Sequence, residues 1–345
     1  LCPTLFSLWN TSLLFCDRAA HVLSLPVDQL TSVRSCVRPG WRDRVYAPFF
    51  HPTHMQHRKK APMEHTRESR PQPASNETIM SRHNAKIKHF RALLKRPERE
   101  RTGLAIVEGL RLVSEALVHF PDRVRQLIIA PELLKSRSGW ALLQEKTPRG
   151  VSTLSVSAQA FESFSQKDGP QGIAAIISQR WEPLDQIRLS AGNVWVALAA
   201  IQDPGNIGTI LRSCDASGCQ GIILLDHTAD PYDPTALRAS MGAIFSQRLS
   251  SASFHAFTQW KNLHQYTVIG TSDGASLRYR EIAYPMPVII LMGSERHGLL
   301  PEQQATCDAV VRIPMSGICD SLNIAIATAV VLYEIVDQRA LPPPG

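Results

Sequence analysis

A chain of 345 residues, 44% of them hydrophobic, is long enough for two domains with real cores and a tail. Its seven cysteines are odd in number and form no C-x-x-C pair, which disfavours a disulfide framework and a zinc site, and no apolar run approaches the ~20 residues of a membrane span. The formal charge of +7 hides an asymmetry: residues 1–80 hold 10 basic and 6 acidic side chains, residues 81–192 hold 18 and 11, and residues 193–345 hold 9 and 13. A basic centre suits a polyanion, and the acidic carboxyl-terminal part suits another task. The cysteine usage fits a reducing cytoplasm, with no metal and no membrane among the expected partners.

Residues 1–80 mix scattered proline, histidine and arginine without a sustained period and are expected to be a disordered extension. The apolar stretch at residues 5–15 is interrupted by Asn10, Thr11 and Ser12 and lacks a basic leader, so a signal peptide is disfavoured. The chain begins with Leu1, and Met80 offers an alternative start.

The pattern changes at Ser81. Ile87, Phe90, Leu93 and Leu94 recur at helical spacing, and residues 82–101 hold eight Lys or Arg against two Glu, which predicts a basic amphipathic helix able to follow phosphates. Alternating strand and helix patterns then continue to about residue 180, with strands expected near residues 103–108, 124–130, 151–156 and 172–178. Residues 81–180 are therefore expected to form a small basic α/β domain, followed by a linker at 181–192.

Residues 193–340 read as a second α/β domain. Continuous apolar runs at 194–201, 221–225, 267–270, 288–292 and 310–313 fit parallel strands buried on both faces, and such sheets bind ligands beyond the carboxyl ends of their strands. Three loops follow these ends. In the first, Q-D-P-G-N-I-G from Gln202, Gly205 and Gly208 would allow a tight turn, Asn206 would cap a helix over 208–217, and Arg212 would share a helix face with Gly208. This is not G-x-G-x-x-G, so a dinucleotide site of the Rossmann kind is disfavoured. In the second, G-S-E-R-H-G-L from Gly293, two glycines permit close backbone approach, and Glu295 places a carboxylate at a strand end. The third runs from I-P-M at 313–315 to S-L-N at 321–323, with Ser321 expected to cap a helix whose residues 322–335 are apolar enough to be buried on most faces.

Each loop alone could be an ordinary glycine turn. In this order, N-x-G-x-x-x-R (Asn206, Gly208, Arg212), G-S-E-x-x-G-L and I-P-M with S-L-N resemble the SpoU/TrmH family of RNA ribose 2′-O-methyltransferases. Upstream, I-V-E-G at 106–109 and K-D-G-P-Q-G-I at 167–173 resemble that family's ribosomal-protein-like substrate-binding domain, so the likeness spans about residues 81–340.

The resemblance implies a SPOUT-type α/β trefoil-knot domain preceded by a smaller α/β RNA-binding domain. It implies S-adenosylmethionine held near Thr271, Gly293, Ile313, Met315 and Leu322, and a homodimer with its site at the interface. Arg212 matches the family's catalytic arginine, and Asn206, Glu295, Ser321 and Asn323 would orient substrate and arginine. A guanidinium keeps its proton to beyond about pH 12 in water, so holding a phosphate and balancing oxyanion charge is the easier role for Arg212. His297 matches no family position and reads as a bystander. A separate substrate domain favours ribosomal RNA over tRNA. A binder that kept the fold without catalysis would have little need for Asn206, Arg212, Glu295 and Ser321 together, and a nucleotide-dependent enzyme lacks its phosphate loop.

Overall fold

The computed structural model describes residues 78–340, so the expectation for residues 1–80 lies outside the described residues except at its last three positions. Those three are attached to the body. The Ile79 amide donates to the Ser155 carbonyl at 3.0 Å, and the Ser157 amide donates to Ile79 at 3.0 Å.

The basic segment forms two helices where one was expected. Asn84 caps α1 (Ala85–Ala92) by accepting from the Lys86 amide at 2.9 Å, and Ile87 and Phe90 form its buried face. Pro97 cannot continue a helix from upstream but suits a first turn, so α2 (Arg96–Thr102) starts afresh and ends at Gly103, whose φ of 64° is left-handed. There follow β1 (Leu104–Glu108), α3 (Leu110–His119), β2 (Val124–Ile129), α4 (Arg137–Lys146), β3 (Ser152–Ser155), α5 (Ala158–Glu162) and β4 (Ile173–Ser178). These strands form a four-stranded sheet in the order β1-β4-β2-β3.

Residues 181–192 are not a free linker. Leu184, Ile187 and Leu189 are buried beside Trp195 and Trp260, and the Trp260 indole donates to the Ile187 carbonyl at 3.3 Å. The alternation of Leu and Ile there serves burial, and polar neighbours hid it.

The second sheet has seven strands, and every neighbouring pair in it is parallel. In chain order its elements are β5 (Val194–Ala199), α6 (Pro204–Ser217), β6 (Gly221–Leu225), α7 (Pro234–Ser240), β7 (Arg248–Ala252), α8 (Phe254–His264), β8 (Thr267–Thr271), β9 (Leu277–Arg278), β10 (Val288–Met292), α9 (Pro301–Thr306), β11 (Ala309–Arg312) and α10 (Ile324–Ala340). The strand order is β7-β6-β5-β10-β8-β11-β9. From β8 the chain runs to the edge at β9, returns to insert β10 between β5 and β8, crosses β8 again to reach β11, and comes back to lay α10 on α6. These repeated returns fit the SPOUT-type α/β wiring that the resemblance implies, in which the chain departs from the usual rule that connections do not cross.

Alternate residues of the central strands feed opposite cores. Val196, Leu198, Ile290 and Met292 meet Ile207, Ile210, Leu211 and Val331 from α6 and α10, while Trp195, Ala197, Ile289 and Leu291 meet Phe257 and Trp260 from α8. The first of these cores continues into the amino-terminal module through Phe120 and Phe245, whose ring centroids are 5.6 Å apart. A buried ion pair adds to this contact. Arg99, only 1% exposed, donates Nε to Asp230 at 2.6 Å and Nη2 to Asp233 at 3.3 Å, and gives Nη1 to the carbonyls of Leu93 and Leu94.

Candidate active site

Because the central strands are parallel, the loops after β5, β8, β10 and β11 emerge at one edge of the sheet. A cavity of about 660 Å³ opens there, of a size suited to a cofactor-sized molecule. Thr271, Gly293, Ile313, Met315 and Leu322 all line it, as do Glu295, Ser321 and Asn323, although their sequence positions span three separate loops. His297 lines it as well. The lining combines apolar walls from Leu299, Val311 and Ile313 with the carboxylates of Asp273, Glu295 and Asp320.

The loop after β10 closes on itself. The Ser294 amide donates to the Gly298 carbonyl at 3.0 Å and the Gly298 amide to Ser294 at 2.9 Å. Gly298 has a φ of 61°, and a Cβ on Gly293 would collide with the Gly298 carbonyl and the Leu299 amide, so only glycine allows this closure.

Glu295 leaves that loop to meet the first one. Asn206 Nδ2 donates to Glu295 Oε1 at 3.2 Å, and the Gln202 amide approaches Oε2 at 3.4 Å. Asn323 Nδ2 donates to Asn206 Oδ1 at 3.0 Å, so one asparagine joins the loops after β5, β10 and β11. The Gln202 side-chain amide donates to the carbonyls of Ala200 at 3.2 Å and His227 at 2.8 Å, adding the loop after β6. The sequence does not single out Gln202, although a polar residue directly after an apolar strand was a usable signal. Ala200 and Asp226, with φ of 56° and 53°, hold strained backbone at these two strand ends.

Three expectations about caps and turns are corrected. Asp203, not Asn206, caps α6, accepting from the Gly205 amide at 2.8 Å, and the helix starts at Pro204 because proline suits its first turn. Freed from capping, the Asn206 oxygen accepts from Asn323 while its NH2 donates to Glu295. Gly208 is not a turn residue but lies inside α6 against α7, where a Cβ would meet the Ala236 carbonyl and come 2.6 Å from Ala239 Cβ. Asn323, not Ser321, stands before α10, accepting from the Ala325 amide at 2.9 Å, while the Ser321 hydroxyl donates to Asp320 at 3.2 Å. The helix starts only at Ile324, so Asn323 is the residue directly before it and Ser321 lies two positions too early to cap it.

Arg212 and Asn206 do not line the cavity. Arg212 is exposed on α6, one turn after Gly208 on the same helix, and its side chain has no hydrogen bond or ion pair among the described residues. Within the single chain the third-loop helix buries Ile324, Ala325, Thr328, Val331, Leu332 and Ile335 and leaves one apolar strip uncovered. Ile326 is 50% and Tyr333 48% exposed on α10, and Met315, Ile318 and Leu322 are exposed in the loop before it.

The description "SpoU rRNA Methylase family" matches residues 193–333, and "MRM3-like substrate binding domain" matches residues 84–175. Over 264 residues the chain is 31% identical to the 23S rRNA (uridine(2479)-2′-O)-methyltransferase of Streptomyces viridochromogenes, covering 74% of this chain and 91% of that one. It is 27% identical over 257 residues to the 23S rRNA (guanosine(2553)-2′-O)-methyltransferase RlmP of Bacillus subtilis, covering 74% and 98%. Among solved structures, the AdoMet-bound rRNA methyltransferase from Sinorhizobium meliloti superposes with a TM-score of 0.68 at 34% identity, over 77% of this chain and 99% of that one. AviRb from Streptomyces viridochromogenes in complex with AdoMet superposes at 0.68 with 30% identity, over 74% and 98%. Loop geometry, strand order and similarity over most of each relative agree, and the chain belongs to the SpoU rRNA methylase family.

Proposed function

We propose that this protein transfers a methyl group from S-adenosylmethionine to the 2′-hydroxyl of a ribose in ribosomal RNA. The observation that carries the reading is the convergence of Glu295, Asn206 and Asn323 at the rim of a cavity shaped by three strand-end loops. The cavity suits the cofactor chemically, with apolar walls for a flat adenine and carboxylates for an ammonium and a sulfonium. When bound, S-adenosylmethionine supplies an electrophilic methyl group. Thr271, Gly293, Ile313, Met315 and Leu322 would hold it, and the closed loop at Gly293 would exclude water from one side.

The remaining residues act on the RNA. Asn206 fixes the Glu295 carboxylate at the rim, and Asn323 fixes Asn206, so the orienting groups are set before substrate arrives. Ser321 presents a hydroxyl beside them. Arg212 is assigned to a substrate phosphate and to the charge that develops as the 2′-oxygen loses its proton. Its free, exposed guanidinium supports a role toward a ligand.

A homodimer is part of the reading. Its support is the apolar surface of Ile326 and Tyr333 on α10, which packs beside the helix that carries Arg212. A second copy seated there would cover that surface and enclose the arginine. The cysteine usage supports a cytoplasmic location. Among the described residues no helix is long and apolar enough to cross a membrane.

The test is transfer of labelled methyl from S-adenosylmethionine to a large-subunit rRNA transcript, followed by alkaline hydrolysis and mass mapping. Label in an alkali-resistant dinucleotide is the expected result. Label on a base, or cofactor binding without transfer to rRNA or its precursor particles, would overturn the reading. Light scattering of the wild type and of Tyr333→Arg tests the dimer, which the variant is expected to weaken.

A further inference from the structure

Residues 82–101 hold eight Lys or Arg, and four of them line one groove. A groove of about 510 Å³ lies along α1 and α2, lined by Lys88, Arg91, Lys95, Glu98 and Arg101 over a floor of Ala92 and Pro97. Its single carboxylate is engaged already. Arg101 donates to Glu98 at 2.9 Å and 2.6 Å, a pairing that holds the Glu98 carboxyl below its ordinary range, and His89 stands 3.5 Å away. Arg91 donates Nη2 to the Arg82 carbonyl at 2.9 Å, which orients the guanidinium without neutralising it. The side chains of Lys88 and Lys95 have no hydrogen bond or ion pair among the described residues.

The groove is also held on the right side of the molecule. On α2, Arg96 donates to the Thr228 carbonyl at 3.3 Å, and the buried Arg99 reaches Asp230 and Asp233. Residues 226–233 follow β6 at its carboxyl end, and β6 is parallel to β5, so α2 docks at the sheet edge where the cavity opens. The connection is short: Gln202 bonds both the His227 carbonyl and Glu295, and the Ala229 amide donates to Ile201 at 2.7 Å.

We propose that the α1–α2 groove binds the phosphodiester backbone of the rRNA segment flanking the target ribose, an inference that rests on the methyl-transfer reading above. Three cations without a carboxylate suit successive phosphates, and the small floor leaves room for the sugars between them. The Arg99 ion pair then makes the groove a fixed rest at a constant distance from the methyl donor. An acidic protein surface is the other possible occupant, and it is disfavoured because the groove shares its edge with a site that acts on RNA.

The test compares Lys88→Glu/Lys95→Glu, and the milder Lys88→Gln/Lys95→Gln, with the control Lys135→Glu/Lys146→Glu on the same module. The probe is a deproteinised large-subunit rRNA transcript, titrated with the full chain at several salt concentrations. For the groove pair, affinity is expected to fall at least about tenfold at 0.1 M salt, and the slope of log K against log[salt] to shrink by about two. KM for RNA should rise with little change in kcat, S-adenosylmethionine affinity should stay as in the wild type, and the control pair should change affinity less than about threefold. Wild-type affinity in the groove variants, or an equal loss in the control pair, would overturn the proposal while the methyl-transfer reading stands. Retained rRNA affinity with lost binding to intact precursor particles would reassign the groove to a protein and overturn it too. A wild-type chain that methylates no rRNA in any form would instead remove the functional reading on which the proposal rests.

Discussion

Asn206 and Glu295 stand 89 positions apart in the chain and meet through a single 3.2 Å hydrogen bond from the asparagine amide to the carboxylate. On the proposed methyl-transfer reading Asn206 acts as a positioning residue, because its other end is held by Asn323 and it does not line the cavity itself. Asn206→Ala is expected to lower kcat by about 10²-fold, the size of loss that a modest misplacement of reacting groups produces. Calorimetry should find S-adenosylmethionine affinity within about threefold of the wild type. A kcat near normal would show that Glu295 needs no such support.

Arg212→Ala is expected to abolish methyl transfer while leaving cofactor affinity within a few-fold, since its side chain stands outside the cavity. Single-turnover transfer and calorimetry on the same variant separate the two quantities. Retained turnover would place the catalytic charge elsewhere.

Removing one partner of a buried ion pair leaves the other uncompensated. Arg99→Ala is therefore expected to destabilise the protein by about 3–5 kcal/mol, with Asp230 and Asp233 left beside an empty site. Arg99→Met fills the volume but not the charge, and Arg99→Met with Asp230→Asn should recover part of the loss. Denaturant unfolding of the three variants measures it.

The pairing at Ile79 lies before Ser81, where the sequence pattern changes. Ile79 makes two backbone hydrogen bonds alongside Val156 and packs against the core cluster that holds Phe90 and Phe164, so a chain starting at 81 gives up a short strand pairing that a chain starting at 78 keeps. The longer of the two is expected to melt a few degrees higher by differential scanning calorimetry. Equal midpoints would mean that the pairing contributes nothing.

Thiol chemistry should divide the described cysteines. Burial pushes the Cys307 thiol up to about 12, and burial with the neighbouring Cys219 raises that of Cys214 as well. Both remain neutral and poorly nucleophilic at pH 8, whereas Cys319 is exposed in the loop that borders the cavity. Iodoacetamide at pH 8 is expected to label Cys319 and spare Cys307 and Cys214. For Cys307 reactivity should rise only as the pH approaches the elevated value. Peptide mapping by mass spectrometry reads the pattern.

Much of this protein is legible along the chain. Continuous apolar runs announce parallel strands because a strand covered on both faces needs apolar residues at every position, and the runs at 194–199 and 288–292 became the paired centre of the sheet. The three loops could be found because glycine and asparagine answer local demands of backbone and hydrogen bonding. Local demand is also where such reading fails. The strand β7 carries Ser250 and Ser251 and lies at the sheet edge, where full apolar character is not required, so periodicity passes over it.

Arg99 shows the limit most plainly. Within a run of Lys and Arg it looks like one more solvated cation, and only the approach of Asp230 and Asp233, more than 130 residues later, makes its burial favourable. Asn206 looks like a helix cap until the fold gives the capping of α6 to Asp203 and turns the Asn206 side-chain NH2 toward Glu295. Composition and period determined the α/β class, the basic module and the three loops, because those depend on what each residue does to its own stretch of backbone. Which side chains meet at the site was decided by the crossing of β10 and β11 over β8, because a hydrogen bond 3 Å long depends on the path of the whole chain between its two ends.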